Sequence, residues 1–572
     1  MRINGHAHIF NLRTVLTPHA VKVMTNRVRA LGVPGFVADA LEELLAGQVL
    51  RPEHLVEEEL LARFLTLIRK SPAFREFART TAGLPVEVRL LGDGLPSLET
   101  AALRATLDRL SAWFDDGADS KTTIADVFDT LRLAMRPSIT AVAAEVLRSV
   151  DPDGGVVALM MDITSEDTAA QDRDRFLAQL KGTADAAAAF PGRIFPFVAV
   201  STRRPDHFAL MRKAIEELGF VGVKLYPSLG TRVDSADMLR VYDYCVEHDV
   251  PILLHATRTG FFESDATRGF GDPALWEPIL EARPGLRVCF AHSGGLAQGV
   301  LTPGGPQPRQ WPHTIVELMR RFDEVYTDLA YHTDQMAGVA EETLYLAWLR
   351  GLLAEPGVGD RVMFGTDIWL VRLSLSDAHY WRWFESRLTA AEMKRITEDA
   401  PRRFLGLPDA NGAGMRANIR RLVDRLAALP AVGSEPAAWL RNAAGTAFNV
   451  QRVDPEWTKF NHAHVLTHAF FKRYMKSAHK RLAFADAGTL RLRQLTYWNK
   501  EHVSEAVFRK DCRAVALALV SLARGSGGAF EGSYDETSAV DRLAEVVADG
   551  EKTIAVAAGN VDAIFRFPTE AA

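Results

Sequence analysis

At 572 residues the chain is too long for one ordinary hydrophobic core, which predicts two or three domains. With 48% apolar and 24% charged residues it is neither disordered nor fibrous, and a formal charge of -5 provides no field that would draw nucleic acid or an anionic membrane. Three scattered cysteines (Cys245, Cys289, Cys512), an N-terminus "MRINGHAHIF" without an apolar signal segment and no run of transmembrane length predict a cytoplasmic protein without a disulfide framework.

In chain order, short apolar runs alternate with amphipathic stretches, the pattern of a parallel sheet. The first run is "RINGHAH". Residues 10 to about 150 are then mostly helical by pattern ("ADALEELLAG", "VEEELLARFLTLIRK", "ITAVAAEVLRSV"), far longer than a usual barrel connection, and only the last of these helices is needed as a crossover. Further strands are predicted at "VVALMMD" (156–162), "RIFPFVAV" (193–200), "VGVKLYP" (221–227), "VPILLH" (250–255), "LRVCFAH" (286–292), "EVYTDLA" (324–330) and "RVMFGTD" (361–367). Helical spacing lies between them at 206–218, 234–248 and 313–322. Eight strands joined by helices are the count of an α/β fold, the closed (β/α)8 TIM barrel. A capping-box pattern, "TAAE" (389–392), opens a last helix that ends at "RFLGL", so the barrel closes near residue 407.

The expected division is a barrel of residues 1–9 and 138–407, a helical insertion of 10–137 and a mainly helical C-terminal appendage of 408–572. The insertion leaves the C-terminal end of the first strand, which puts it over the barrel mouth as a cap or a dimer surface.

In a strand, residues i and i+2 share a side, so His6 and His8 can face the barrel axis and grip one ion. His255 ends "PILL", His292 ends "LRVCFA" and Asp367 follows "VMFGT", each at the C-terminal end of a predicted strand. Barrel active sites are built on that face, so five metal-competent side chains converge on one mouth. Burying so many polar groups without a shared partner is costly, which points to a divalent ion bound by nitrogen and oxygen.

From residue 3 to 407 the sequence resembles the amidohydrolase superfamily, in particular its amidohydrolase-related, decarboxylase-like branch. "GHAHIFN", "GVKLYPS", "PILLHA", "FAHSGG", "YTDLA", "FGTDIW" and "RITEDAPRRFLGL" carry the resemblance as an ordered set. It implies that His6, His8, His255 and Asp367 bind a metal, zinc or manganese, with one ion expected rather than two. It further implies that His292 either joins the metal shell or acts as acid and base beside it, and that the protein is a homodimer. Lys224 either pairs with a carboxylate of substrate or protein or, as in binuclear members, is carboxylated and bridges two ions; the "GVKLYP" context favours pairing. Tyr226 shares the face of Lys224, Arg258 is a candidate for a bidentate pair with a substrate carboxylate, and Asp328 holds a neighbouring ligand or takes part in catalysis.

The expected activity is hydrolysis of an amide, lactone or ester of a small carboxylated substrate, with Asp367 or His292 taking a proton from water. The same cage serves non-oxidative decarboxylation of an aromatic or muconate-like acid, and a catalytically silent barrel used for interaction is the reading of another class. In the appendage, His462, His464 and His468 have spacing that can bind zinc but lack the glutamate of a zinc-protease motif. With the basic and aromatic residues around them they are read as a solvated face, and "RGSGGAFEGS" as a flexible connector.

Overall fold

The computed structural model describes residues 1–80 apart from 31–32 and 51–56, residues 123–452 apart from 166, 171, 297–299, 337 and 410–411, and segments between 466 and 557. His462, His464, His468 and nearly all of "RGSGGAFEGS" lie outside the described residues.

Eight strands form one sheet in sequence order: β1 Ile3–His8, β2 Gly155–Leu159, β3 Ile194–Val200, β4 Gly222–Leu225, β5 Ile252–Leu254, β6 Val288–Phe290, β7 Val325–Asp328 and β8 Val362–Met363. Each pairs parallel with the next. The Gly5 N–H donates to the Phe364 carbonyl (2.8 Å) and the Asp367 N–H to the His6 carbonyl (2.9 Å), which joins the end of β8 to β1. The fold is thus a (β/α)8 barrel. Helices His207–Glu217, Ala236–Glu247 and Trp311–Arg321 stand where the 3.6-residue spacing places them, each with a buried apolar stripe.

The seam between β1 and β8 is unusually close. A Cβ on Gly365 would stand 2.6 Å from His6 Cβ, and one on Gly5 would stand 2.8 Å from the Phe364 carbonyl oxygen, so both positions exclude a side chain. The β1–β2 register shifts between Asn4 and Ala7, an irregularity of the kind that re-aims side chains beside active sites, and His6 sits within it.

The capping box of "TAAE" forms as read: the Thr389 side chain accepts from the Glu392 N–H and Glu392 reaches back. The helix expected there runs without a break from Ala390 to Leu405, with a π-turn at Arg395–Asp399 inside it, and left-handed Gly406 caps the end. Beyond it, helices Ala417–Ala427 and Ala438–Ala444 pack with Phe404 and Leu405 against barrel-interior residues such as Phe197 and Leu253 and seal the N-terminal end. Asn418 Nδ2, fully buried, donates to the carbonyls of Val221 and Leu405.

The segment after β1 forms helices Pro18–Ala30, Gly35–Leu50, Glu57–Lys70, Pro72–Thr80 and Ile124–Ala134. Their apolar sides, with Phe64, Phe74 and Phe128 fully buried, belong to the same core as the barrel. Each such side chain contributes on the order of 1.5–3 kcal/mol. Helices Glu505–Arg524 and Glu536–Asp549 pack with Phe470 and Tyr474 in a separate core. A three-stranded antiparallel sheet (β9 Leu482–Phe484, β10 Thr489–Leu492, β11 Ile554–Ala557, order β11-β10-β9) adds to the helical appendage that the sequence predicts.

Candidate metal centre

His6 and Lys224 lie within β1 and β4, and the other polar residues of the site end a strand or follow one at the C-terminal face. His8 is the last residue of β1 and Asp328 of β7, while His255, His292 and Asp367 follow β5, β6 and β8. Tight turns are needed to aim the last two inward. His292, Ser293, Tyr331 and Asp367 all have left-handed backbone (φ between 47° and 60°), which costs a non-glycine residue about 1–3 kcal/mol and recurs at active sites.

Two sets of donor atoms come together: His6, His8 and Asp367, and His6, His292 and Asp328, with the ligand atoms of each set within 4.8 Å of one another. All are buried. His6 Nδ1 lies 2.8 Å from Asp328 Oδ2. A carboxylate only accepts, so Nδ1 carries the proton and Nε2 presents its lone pair, with no partner. His292 Nδ1 lies 3.0 Å from the Ala330 carbonyl, leaving Nε2 without a partner and 4.0 Å from Asp367 Oδ2. His8 Nδ1 and Lys224 Nζ are likewise buried and unpartnered.

His255 stands in neither set. Its ring is 5.1 Å from that of His292, centre to centre, and stacks on Tyr226 at 4.0 Å. Its Nε2 lies 2.9 Å from the Thr259 carbonyl, so the proton is on Nε2 and the lone pair on Nδ1. The Tyr226 hydroxyl accepts from the Phe261 N–H (3.0 Å), and Lys224 Nζ is 5.6 Å from the Tyr226 ring centre. Arg258 is exposed at the rim, its guanidinium 5.4 Å from the Trp311 ring. The structure therefore clusters His6, His8, His292, Asp328 and Asp367, and sets Lys224, Tyr226, His255 and Arg258 around them.

Charge follows burial. Burial, reinforced by the Lys224 cation, holds His6 and His8 well below the ordinary imidazole range, and burial with the neighbouring His292 and Lys224 does the same to His255. His292 is pushed down to about 3, first by burial and then by His6. The imidazoles are therefore neutral, the form that ligates a metal. Burial raises the Asp367 carboxyl and lowers the Lys224 ammonium, each opposed by the charge of the other. Four buried donors without partners (His6 Nε2, His8 Nδ1, His292 Nε2, Lys224 Nζ) are a heavy cost for a protein interior. Two imidazoles and a carboxylate with no thiolate, His6, His8 and Asp367, fit one divalent cation of the zinc or manganese kind, in a site left open to substrate.

Three further contributors are not among the sequence candidates. Asn4, buried, donates from Nδ2 to Thr366 Oγ1 (2.8 Å) and accepts from the Thr366 N–H (3.1 Å), which fixes the His6 strand against the Asp367 turn. Its place two residues before His6 was a usable clue, because period two puts Asn4, His6 and His8 on one face. The Trp369 indole N–H donates to the His8 carbonyl (2.7 Å). Arg27, from the helix Pro18–Ala30, reaches the mouth from outside the barrel.

Residues 144–407 match the Amidohydro_2 family model, described as amidohydrolase, so the match begins after β1 and leaves out His6 and His8. No curated protein matches. Among solved structures, a TIM-barrel protein from Bordetella bronchiseptica is 16% identical, with 47% of this chain and 85% of that one covered and a TM-score of 0.34. The 2,6-dihydroxybenzoate decarboxylase from Rhizobium is 17% identical over 46% of this chain and 87% of its own, with a TM-score of 0.32. The 4-oxalomesaconate hydratase from Rhodopseudomonas palustris is 13% identical over 71% and 95%, with a TM-score of 0.34. Over residues 144–407, which hold β2 to β8, the chain is thus similar to the amidohydrolase family.

Proposed function

We propose that the protein is a metal-dependent hydrolase that cleaves the C–N or C–O bond of an amide, lactone or ester in a small carboxylated substrate. The observation that carries the reading is the cluster of buried, unpartnered imidazole nitrogens on His6, His8 and His292 beside the Asp367 carboxyl. His6, His8 and Asp367 would hold one zinc or manganese ion, with His255 Nδ1 as a further donor. Such an ion, when bound, supplies Lewis acidity that polarises a carbonyl and makes water a nucleophile near neutral pH.

The remaining chemistry belongs to the chain. Asp367 accepts a proton from the attacking water at a carboxylate oxygen and returns it to the leaving nitrogen or oxygen. His292 Nε2, 4.0 Å from Asp367 Oδ2, accepts a hydrogen bond from the same water and orients it. Lys224, buried and without a hydrogen-bond partner, offers its ammonium to a carboxylate of the protein, such as Asp367, or of the substrate, and Arg258 meets the substrate at the rim.

Mass spectrometry of products, run beside a carbon dioxide sensor on zinc-loaded protein with a panel of carboxylated amides, lactones, esters and aromatic acids, tests this. Products that together gain one water, lost in Asp367→Asn, are expected. Carbon dioxide release from an aromatic acid would replace hydrolysis by decarboxylation, and silence across the panel with metal bound would leave a barrel used for interaction.

A further inference from the structure

Two cavities meet at the metal-ligating cluster, and they differ in chemistry. One, of about 110 Å³, starts at His8 and Asp367 and runs under the helices of the insertion. Its walls are mainly hydrocarbon, with Met24, Leu41, Leu45, Val127 and Leu131 contributed by the insertion, and are interrupted by His8, Arg27, Thr130, Tyr226 and Asp367. The other, of about 650 Å³, is lined by His255 and His292 and by Arg258 and Arg309. Arg27 lines both, and its Nε is buried without a hydrogen-bond partner.

A barrel that needed the insertion only as a lid would have no use for an apolar chamber opening onto its ligands. Hydrocarbon walls around a space of this size stay dry, and an engineered cavity of about 150 Å³ admits a benzene ring. Filling such a space recovers dispersion contacts and removes apolar surface from water. A cation at the point where the dry chamber opens into the polar one fixes where an anionic group would sit.

We propose that the chamber under the insertion is a subsite for the hydrocarbon part of the substrate, and that Arg27 binds the carboxylate where the two cavities join. The substrate class is then an amphipathic carboxylic acid, whose short chain or ring points into the insertion while its reacting group faces His8 and Asp367. This rests on the reading that the cluster is catalytic, and it makes the insertion the specificity-determining element.

Calorimetric titration of the zinc-loaded full chain with straight-chain monocarboxylates from acetate to octanoate tests it. The dissociation constant is expected to fall about fourfold for each methylene until the chamber is full, as for transfer of a methylene out of water. Leu131→Trp, which fills the chamber, is expected to flatten the series, with Val127→Phe on the same wall as the second variant should the first fail to fold. Arg27→Met is expected to weaken every member tenfold or more. A flat series in the unaltered protein would overturn the subsite. Chain-length-dependent binding without turnover on any substrate would remove the hydrolase and keep the subsite, whereas turnover with a flat series would remove the subsite alone.

Discussion

Asp328 Oδ2 stands 2.8 Å from His6 Nδ1 with both side chains fully buried, while Asp328 Oδ1 accepts the backbone N–H of His292 at 2.8 Å and of Ala330 at 3.1 Å. One carboxylate thus sets the tautomer of one candidate ligand and the backbone position of another. Of the two roles the sequence leaves open for Asp328, these contacts describe the holding one. Asp328→Asn keeps the shape but offers one acceptor in place of two, and outer partners of this kind typically account for 10–100-fold in metal affinity, about the loss expected here. Chelator competition measures it, and an unchanged affinity would contradict the role.

Asp367→Asn separates ligation from proton transfer. At metal concentrations that restore full occupancy, turnover is expected to stay at least about a hundredfold below that of the unaltered protein, since a positioned acid–base group contributes on the order of 10²–10⁴-fold. Recovery of full turnover on adding metal would assign Asp367 to ligation alone.

Gly365→Ala tests the closeness of the barrel seam. The added Cβ would lie 2.6 Å from His6 Cβ and 3.2 Å from Ala330 Cβ, so His6 must move. Overpacking of this kind costs about 1–3 kcal/mol. A lower melting temperature together with weaker metal binding is expected; a loss of stability with metal affinity intact would show that the seam gives way elsewhere.

The barrel was legible because its signals are local. Each strand is a short apolar run, the parity of His6 and His8 follows from period two, and polar residues at strand ends mark one face. What was not legible depends on contacts between distant parts of the chain. Asn4 meets Thr366 across 362 positions, and although period two gives its face, no local pattern names that partner. His255 lies beside the donor sets instead of within one, and its Nε2 meets the Thr259 carbonyl at 2.9 Å, a detail of loop geometry. Arg27 is one of two arginines on the amphipathic helix Pro18–Ala30, and only tertiary packing singles it out. The strands of the appendage, three or four residues each, are too short for periodicity to separate from helix.

The insertion is tied to the barrel by a buried ion cluster whose pH response has a definite sign. Glu145, on the crossover helix Ile139–Leu147, receives Arg372 at 2.7 Å, Arg136 at 2.6 Å and Arg132 at 3.4 Å, and Arg372 also binds Asp377 at 2.7 Å. Burial alone would raise the Glu145 carboxyl, but the hydrogen bond from Arg372 and the charges of the three arginines outweigh it and bring it down to about 2. A carboxyl depressed in the folded state contributes stability above its unfolded value and loses it as pH falls toward the folded one. Glu145→Gln is therefore expected to cost roughly 3 kcal/mol near pH 7. The melting temperatures of variant and unaltered protein should converge between about pH 5 and pH 2, the window set by the ordinary and lowered values. A gap that stays constant across that range would contradict the electrostatic account.

The central claim is that His6 and His8 build a metal site. Elemental analysis of protein purified without chelator or nickel affinity, beside a His6→Ala/His8→Ala variant of unchanged fold, tests it most directly. The account predicts about one equivalent of zinc or manganese per chain and its loss in the variant. No metal in either protein, and none taken up when zinc or manganese is supplied, would contradict it.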